Sequence, residues 1–142
     1  MTRDALTSKD YPLAEKRPDL VRGRRGKPLE AVTLAALESG DVVMEDLRIT
    51  SDALEMQADI ARAEGREKLA GNFDRASELV DIPQEYLMRI YELLRPGRAP
   101  DKGALLDVAQ DLRTTYGAAR MAEFLEEAAE VYANRGLFTS RY

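Results

Sequence analysis

Apolar side chains recur along most of this chain every three to four residues, and nowhere do they alternate one by one over the length of a strand. That spacing lays apolar groups along one face of a helix and gives a β-sheet no continuous face to bury. Glycine and proline cut the pattern into segments. Thr33 to Glu38 reads as a short helix stopped at Ser39-Gly40, and residues 41–49 as a connector with a helical turn at Glu45-Asp46-Leu47. Thr50-Ser51-Asp52 is a helix start, a hydroxyl cap followed by an acid in the first turn, and Gly65 is the stop. Leu69, Phe73, Ala76 and Val80 mark the next helix, and Leu87, Ile90, Tyr91 and Leu94 the one between Pro83 and Pro96-Gly97. Leu105, Val108, Ala109, Leu112 and Tyr116 define a helix over 101–116, closed by Gly117. Met121, Leu125, Ala128 and Tyr132 define the last, over 118–135, closed by Gly136. The fold class is all-α, and the short loops predict an open up-and-down helical bundle over 29–142.

Residues 1–28 break the rule. Pro12, Pro18 and Pro28 remove backbone donors, and Gly23 and Gly26 loosen the chain, yet Tyr11, Leu13, Leu20 and Val21 are apolar. Such a segment reads as an extended N-terminal arm that lies on a surface. Tyr11, Pro12, Leu13, Pro18 and Leu20 are expected to dock on a larger partner or on the chain's own bundle, with Lys16 and Arg17 making polar contacts. The helix after Thr50 has two offset stripes, Leu54/Ala58/Ala61 and Met56/Ile60/Ala63, wider than one neighbour requires. Met56 and Ile60 are therefore candidates for a contact with another subunit. Deleting the polar residues 1–9 is expected to leave assembly unchanged, and deleting residues 1–21 to weaken it.

The missing residue types exclude much chemistry. The 142 residues include no Cys and no His, so the chain has no thiol nucleophile, no Ser-His-Asp triad and no imidazole ligand for zinc, haem iron or cobalt. No catalytic, cofactor-binding or metal-binding residue stands out. The net charge of -5 argues against a nucleic-acid partner. No apolar run is long enough to span a membrane, and Met1 to Lys9 lacks the core of a secretory signal, so a cytoplasmic protein is expected. Gly23-Arg24-Arg25-Gly26-Lys27-Pro28 has the wrong spacing for a phosphate loop, and its basic run reads as solvated. Asp41, Glu45 and Asp46 lack the spacing of a calcium loop and read as solvated carboxylates. Glu123, Glu126, Glu127 and Glu130 read as a wet helix face, paired in part with Arg120 and Arg135. Met44, Met56, Met88 and Met121 read as gap fillers.

Longer stretches carry a resemblance. They include Asp10-Tyr11-Pro12-Leu13-Ala14-Glu15-Lys16-Arg17-Pro18-Asp19-Leu20, Gly26-Lys27-Pro28-Leu29 and Asp46-Leu47-Arg48-Ile49-Thr50. Leu69-Ala70-Gly71-Asn72-Phe73, Ile90-Tyr91-Glu92-Leu93-Leu94-Arg95-Pro96 and Glu127-Ala128-Ala129-Glu130-Val131-Tyr132 follow in register. Over residues 10–136 the chain resembles the small (gamma) subunit of coenzyme-B12-dependent diol and glycerol dehydratases. The resemblance implies a dimer of three-subunit units. In it a TIM-barrel large subunit holds the diol and a mono- or divalent cation, and adenosylcobalamin lies between the large and medium subunits. Radical dehydration there yields an aldehyde. The small subunit is implied to be an open helical bundle with an irregular N-terminal part, packed on the large subunit and supporting its assembly and stability. It is implied to bind no cofactor itself, and a bacterial microcompartment is a further possible location. Ser51 stands where the family suggests Pro, and the Arg98-Ala99-Pro100-Asp101-Lys102-Gly103 loop departs from its polar, Ser-rich counterpart, which leaves diol versus glycerol open. The rival reading is a free-standing helical adaptor for another protein.

Overall fold

Each helix expected from the periodicity is present. The structure, a computed structural model, describes residues 3–138. The helices are α1 (Leu13–Lys16), α2 (Leu34–Ser39), α3 (Met44–Leu47), α4 (Ser51–Ala63), α5 (Glu67–Leu79), α6 (Gln84–Leu94), α7 (Lys102–Thr115) and α8 (Ala119–Asn134). Among the described residues there is no β-strand, and an isolated bridge pairs Arg22 with Pro28. The fold is all-α. No helix among these residues is long and apolar enough to cross a membrane.

Helix ends follow local chemistry. Side-chain oxygens of Thr33, Thr50 and Asp101 accept the backbone N–H of Ala36, Ala53 and Ala104, filling donors that a first turn leaves open. Gly65, at φ +71°, lets the chain reverse after α4, so that the Arg66 N–H reaches the Ala61 carbonyl at 2.8 Å. Residues 8–31 are shaped by three 3-10 turns, Ser8–Asp10, Pro18–Leu20 and Leu29–Ala31, around the single turn of α1.

The described chain forms two compact units that divide between Val80 and Asp81. In the first, α4 is packed on both of its apolar stripes. Ala58 and Ala61 meet Ala70 of α5, with Phe73 against them. Met56 and Ile60 meet Leu6 and Leu13 of the N-terminal segment, flanked by Leu20, Val21 and Ala53. The width of the α4 face thus reflects two neighbours within one chain. On α5 the buried line differs from the expected one. Ala70 and Ser77 are buried, whereas Leu69 is 39% exposed. Alanine at the α4–α5 seam lets the backbones approach, where a leucine would hold them apart. The Ser51 hydroxyl, at the start of α4, donates to the Ser77 carbonyl at 2.9 Å.

In the second unit α7 and α8 pack together. Their buried residues are Leu105, Ala109 and Leu112 on α7 and Met121, Ala122, Leu125 and Ala129 on α8, at helical spacing throughout. Leu105, Leu112 and Leu125 are fully buried, each stabilising the fold by about 1.5–3 kcal/mol. The Tyr132 hydroxyl donates to the Leu94 carbonyl at the end of α6. The acidic face of α8 finds cations on α7: Glu126 pairs with Arg113 at 2.8 Å, and Glu130 with Lys102.

Candidate interaction surfaces

The N-terminal segment is seated on its own helix. Leu6 is 5% and Leu13 7% exposed, and both enter the cluster with Met56 and Ile60. Arg3 fixes the start of the segment by an ion pair to Asp59 at 2.8 Å. Arg17 is held by Asp19 at 3.2 Å and by Asp10 at 3.4 Å. The Thr7 backbone N–H, with Arg17 beside it, holds the Asp10 carboxyl below the usual carboxylate range. The hydrogen bond from Arg17 does the same for Asp19 and raises the guanidinium in turn. Tyr11, Pro12, Lys16 and Pro18 remain exposed, and Leu20 is half-buried.

Two sequence expectations change on this geometry. The stretch read as polar is not all surface, because Leu6 belongs to the core; the adjacent Ala5 and Leu6 in a polar run give little signal by periodicity. Met56 and Ile60, read as facing a partner, are covered by the chain's own Leu6 and Leu13 and present little surface to another protein.

Between the segment and α4–α5 runs a groove of about 430 Å³, lined by Tyr11, Gln57, Ile60, Glu64, Leu69 and Phe73 among others. Its walls are mostly apolar, with Glu64 and Arg66 contributing charge.

The basic run also departs from its solvated reading. Arg24 pairs with Glu45 at 3.3 Å and Arg25 with Asp46 at 3.1 Å. The Asp46 side chain is fully buried. Its Oδ2 also accepts the Val43 N–H at 2.9 Å, which caps α3. Gly23 packs so closely that a Cβ there would sit 2.6 Å from the Asp46 carbonyl oxygen. Residues 23–25 therefore form an internal clamp on α3. The sequence reads Asp46 as a solvated carboxylate; its burial, and its pairing with a base 21 residues upstream, leave no local signal.

In the second unit the Tyr86 hydroxyl donates to Asp111 Oδ2 at 2.6 Å, and the Thr115 hydroxyl to Oδ1 at 2.7 Å. Tyr86 stacks on Tyr116 with ring centroids 5.7 Å apart, and the Arg89 guanidinium lies 5.2 Å from the centre of the Tyr86 ring. Desolvation and the carboxylate partner push the Tyr86 phenol up to about 12, while the hydrogen bonds from Tyr86 and Thr115 hold Asp111 low. A phenol that stays protonated and a carboxylate that stays ionised are matched to holding α6 on α7, and neither is poised to transfer a proton near neutrality. Among the described residues no three His, Cys, Asp or Glu side chains are placed to hold a metal ion.

Among the described residues, Asp10, Arg17, Asp46, Tyr86, Asp111 and Glu126 are thus engaged in caps, clamps, hydrogen bonds and ion pairs. The chain belongs to the dehydratase small-subunit family, whose sequence model matches residues 6–139. It is 44% identical over 134 residues to a propanediol dehydratase small subunit of Salmonella typhimurium, covering 94% of this chain and 76% of that one. It is 43% identical over 126 residues to the propanediol dehydratase small subunit of Citrobacter freundii, covering 89% and 73%.

Proposed function

We propose that this chain is the non-catalytic small subunit of an adenosylcobalamin-dependent dehydratase that converts 1,2-diols, propane-1,2-diol or glycerol, to aldehydes. Its work is to support assembly and stability of the large catalytic subunit, in a dimer of heterotrimers with a medium subunit. The observation that carries the reading is the 44% identity, over 94% of the chain, to a protein named as the small subunit of propanediol dehydratase. With no His and no Cys the chain offers cobalt neither imidazole nor thiolate, which favours assigning the corrinoid to the other chains. The proposed location is the cytoplasm, within a protein-shelled microcompartment where the host builds one.

Two experiments test the reading. Large and medium subunits are expressed with and without this chain, and aldehyde formation from propane-1,2-diol is followed with adenosylcobalamin supplied. Full activity and full stability without the chain would refute an assembly role. The isolated chain is then mixed with adenosylcobalamin and desalted; retained colour or a spectral shift would contradict a chain that binds no cofactor.

A further inference from the structure

The chain has no cysteine, so its sulfur is carried entirely by methionine thioethers. Those of the described residues fall into two classes. Met44 is 73% exposed and Met88 56%, whereas Met56 is 4% and Met121 8% exposed. A thioether is a soft, polarisable nucleophile with no proton to lose, so access decides which of the four meets an oxidant.

Both exposed methionines stand on helices that are anchored by other residues. Met44 is the first residue of α3, which Asp46 fixes through the Val43 N–H and Arg25. On α6 the buried residue is Ile90, and residues two apart on a helix do not share a face, so Met88 points away from it. A sulfoxide at either position places its polar S–O group in water. The buried pair differs. Met56 lies with Ile60 against Leu6 and Leu13, and Met121 is among the buried residues of α8. An oxidant reaches Met56 only when the N-terminal segment opens, and a sulfoxide there sets a polar group in an apolar cluster.

We propose that Met44 and Met88 are sites of reversible oxidation by hydroperoxides, and that the N-terminal segment, through Leu6 and Leu13, keeps Met56 from the same reaction. A sulfur lone pair attacks the peroxide oxygen, and the S–O bond forms as the O–O bond breaks. Methionine is oxidised by two electrons and hydrogen peroxide is reduced by two. The hydroxide that leaves takes the proton from the transferred oxygen, so the products are the sulfoxide and water. Methionine sulfoxide reductases reverse the step with electrons from a thiol, and the exposure that admits peroxide admits them too. The inference does not depend on the assembly reading above.

The test is a time course of the full-length chain in dilute hydrogen peroxide, read by peptide mapping in a mass spectrometer. Met44 and Met88 are expected to gain an oxygen atom about tenfold or more faster than Met56 and Met121, a factor that about 1.4 kcal/mol of local opening already supplies. The chain oxidised at Met44 and Met88 is expected to keep its circular dichroism spectrum and melting temperature. A pair of methionine sulfoxide reductases with dithiothreitol is expected to restore both residues. Leu13→Ala, which loosens the segment, is expected to speed oxidation of Met56 while Met121, in the second unit, stays slow. Where Leu13→Ala speeds Met121 as well, the variant is unfolded, and deletion of residues 1–9, which removes Leu6, gives the same readout. Met44 and Met88 reacting no faster than Met56 in the wild type overturns the two sites. Met56 remaining as slow as Met121 in both variants overturns the shielding.

Discussion

Replacing Leu13 by Ala should loosen the N-terminal segment from α4. Leu13 is 7% exposed and shares a cluster with Leu6, Met56 and Ile60. The substitution removes three carbons, a transfer loss of about 2–2.5 kcal/mol at roughly 0.8 per methylene. A residual cavity adds to this, within the 2–5 kcal/mol common for buried leucine. Helix α1 is a single turn that can relax into part of the space, so about 2–3 kcal/mol is expected. A unit of 80 residues has about 4–12 kcal/mol in total, so the loss is a substantial fraction of it. At about 4–8 °C per kcal/mol for a domain of this size, the transition of the first unit should drop by about 10–20 °C. Thermal melts at 222 nm report the drop, and limited trypsin digestion reports local release through cleavage after Lys16, since Pro18 protects the bond after Arg17. Tyr11→Ala, at a position 57% exposed, should stay within about 0.5 kcal/mol of wild type. A Leu13→Ala melt within 2 °C of wild type, with an unchanged trypsin pattern, would refute the docking of this segment.

Deletion of residues 1–9 should cost about 2 kcal/mol, chiefly through Leu6, and lower the melting temperature of the first unit. An unchanged melt would contradict the packing of Leu6 on α4. Gly23→Ala must displace the Asp46 backbone, so chemical denaturation should show a loss of about 1–3 kcal/mol. Asp46→Ala leaves the Val43 N–H and Arg25 without their shared acceptor, and the same assay should give a loss of about 1–3 kcal/mol. Asp10, Asp19 and Asp111 are all held below the ordinary carboxylate value, so they favour the folded state above it, and that contribution vanishes as pH falls through the lowered values. Asp10→Asn should therefore flatten the acid limb of a stability–pH profile. Tyr86 is raised to about 12, so its contribution is complete below pH 10 and is lost as pH rises from 10 towards 12. Difference titration of phenolate absorbance between wild type and Tyr86→Phe should isolate one late-titrating tyrosine among six.

Most of the helical layout was legible, for a stated reason. The stops at Gly40, Gly65, Pro83, Gly117 and Gly136 and the cap at Thr50 are local, and local chemistry is written next to the residues it governs. The two stripes on α4 were visible too, but one sequence cannot say which neighbour covers a stripe. Leu6 supplied part of the answer from fifty residues away, inside a polar run. The α5 face was misplaced by one position because hydrophobicity favours Leu69, whereas the seam with α4 requires the small Ala70. The Arg25–Asp46 clamp was illegible for the same reason as Leu6: both are contacts between distant stretches, each of which looks solvated alone. The family resemblance reached further than periodicity, since it rests on long strings of particular residues rather than on residue type.

Native mass spectrometry of the complex purified through a tagged large subunit tests the central claim most directly. The account predicts one mass containing two copies each of the large, medium and small chains, the small chain leaving intact at 15.9 kDa on collisional activation. A complex of large and medium chains with full dehydratase activity and no 15.9 kDa component would contradict it.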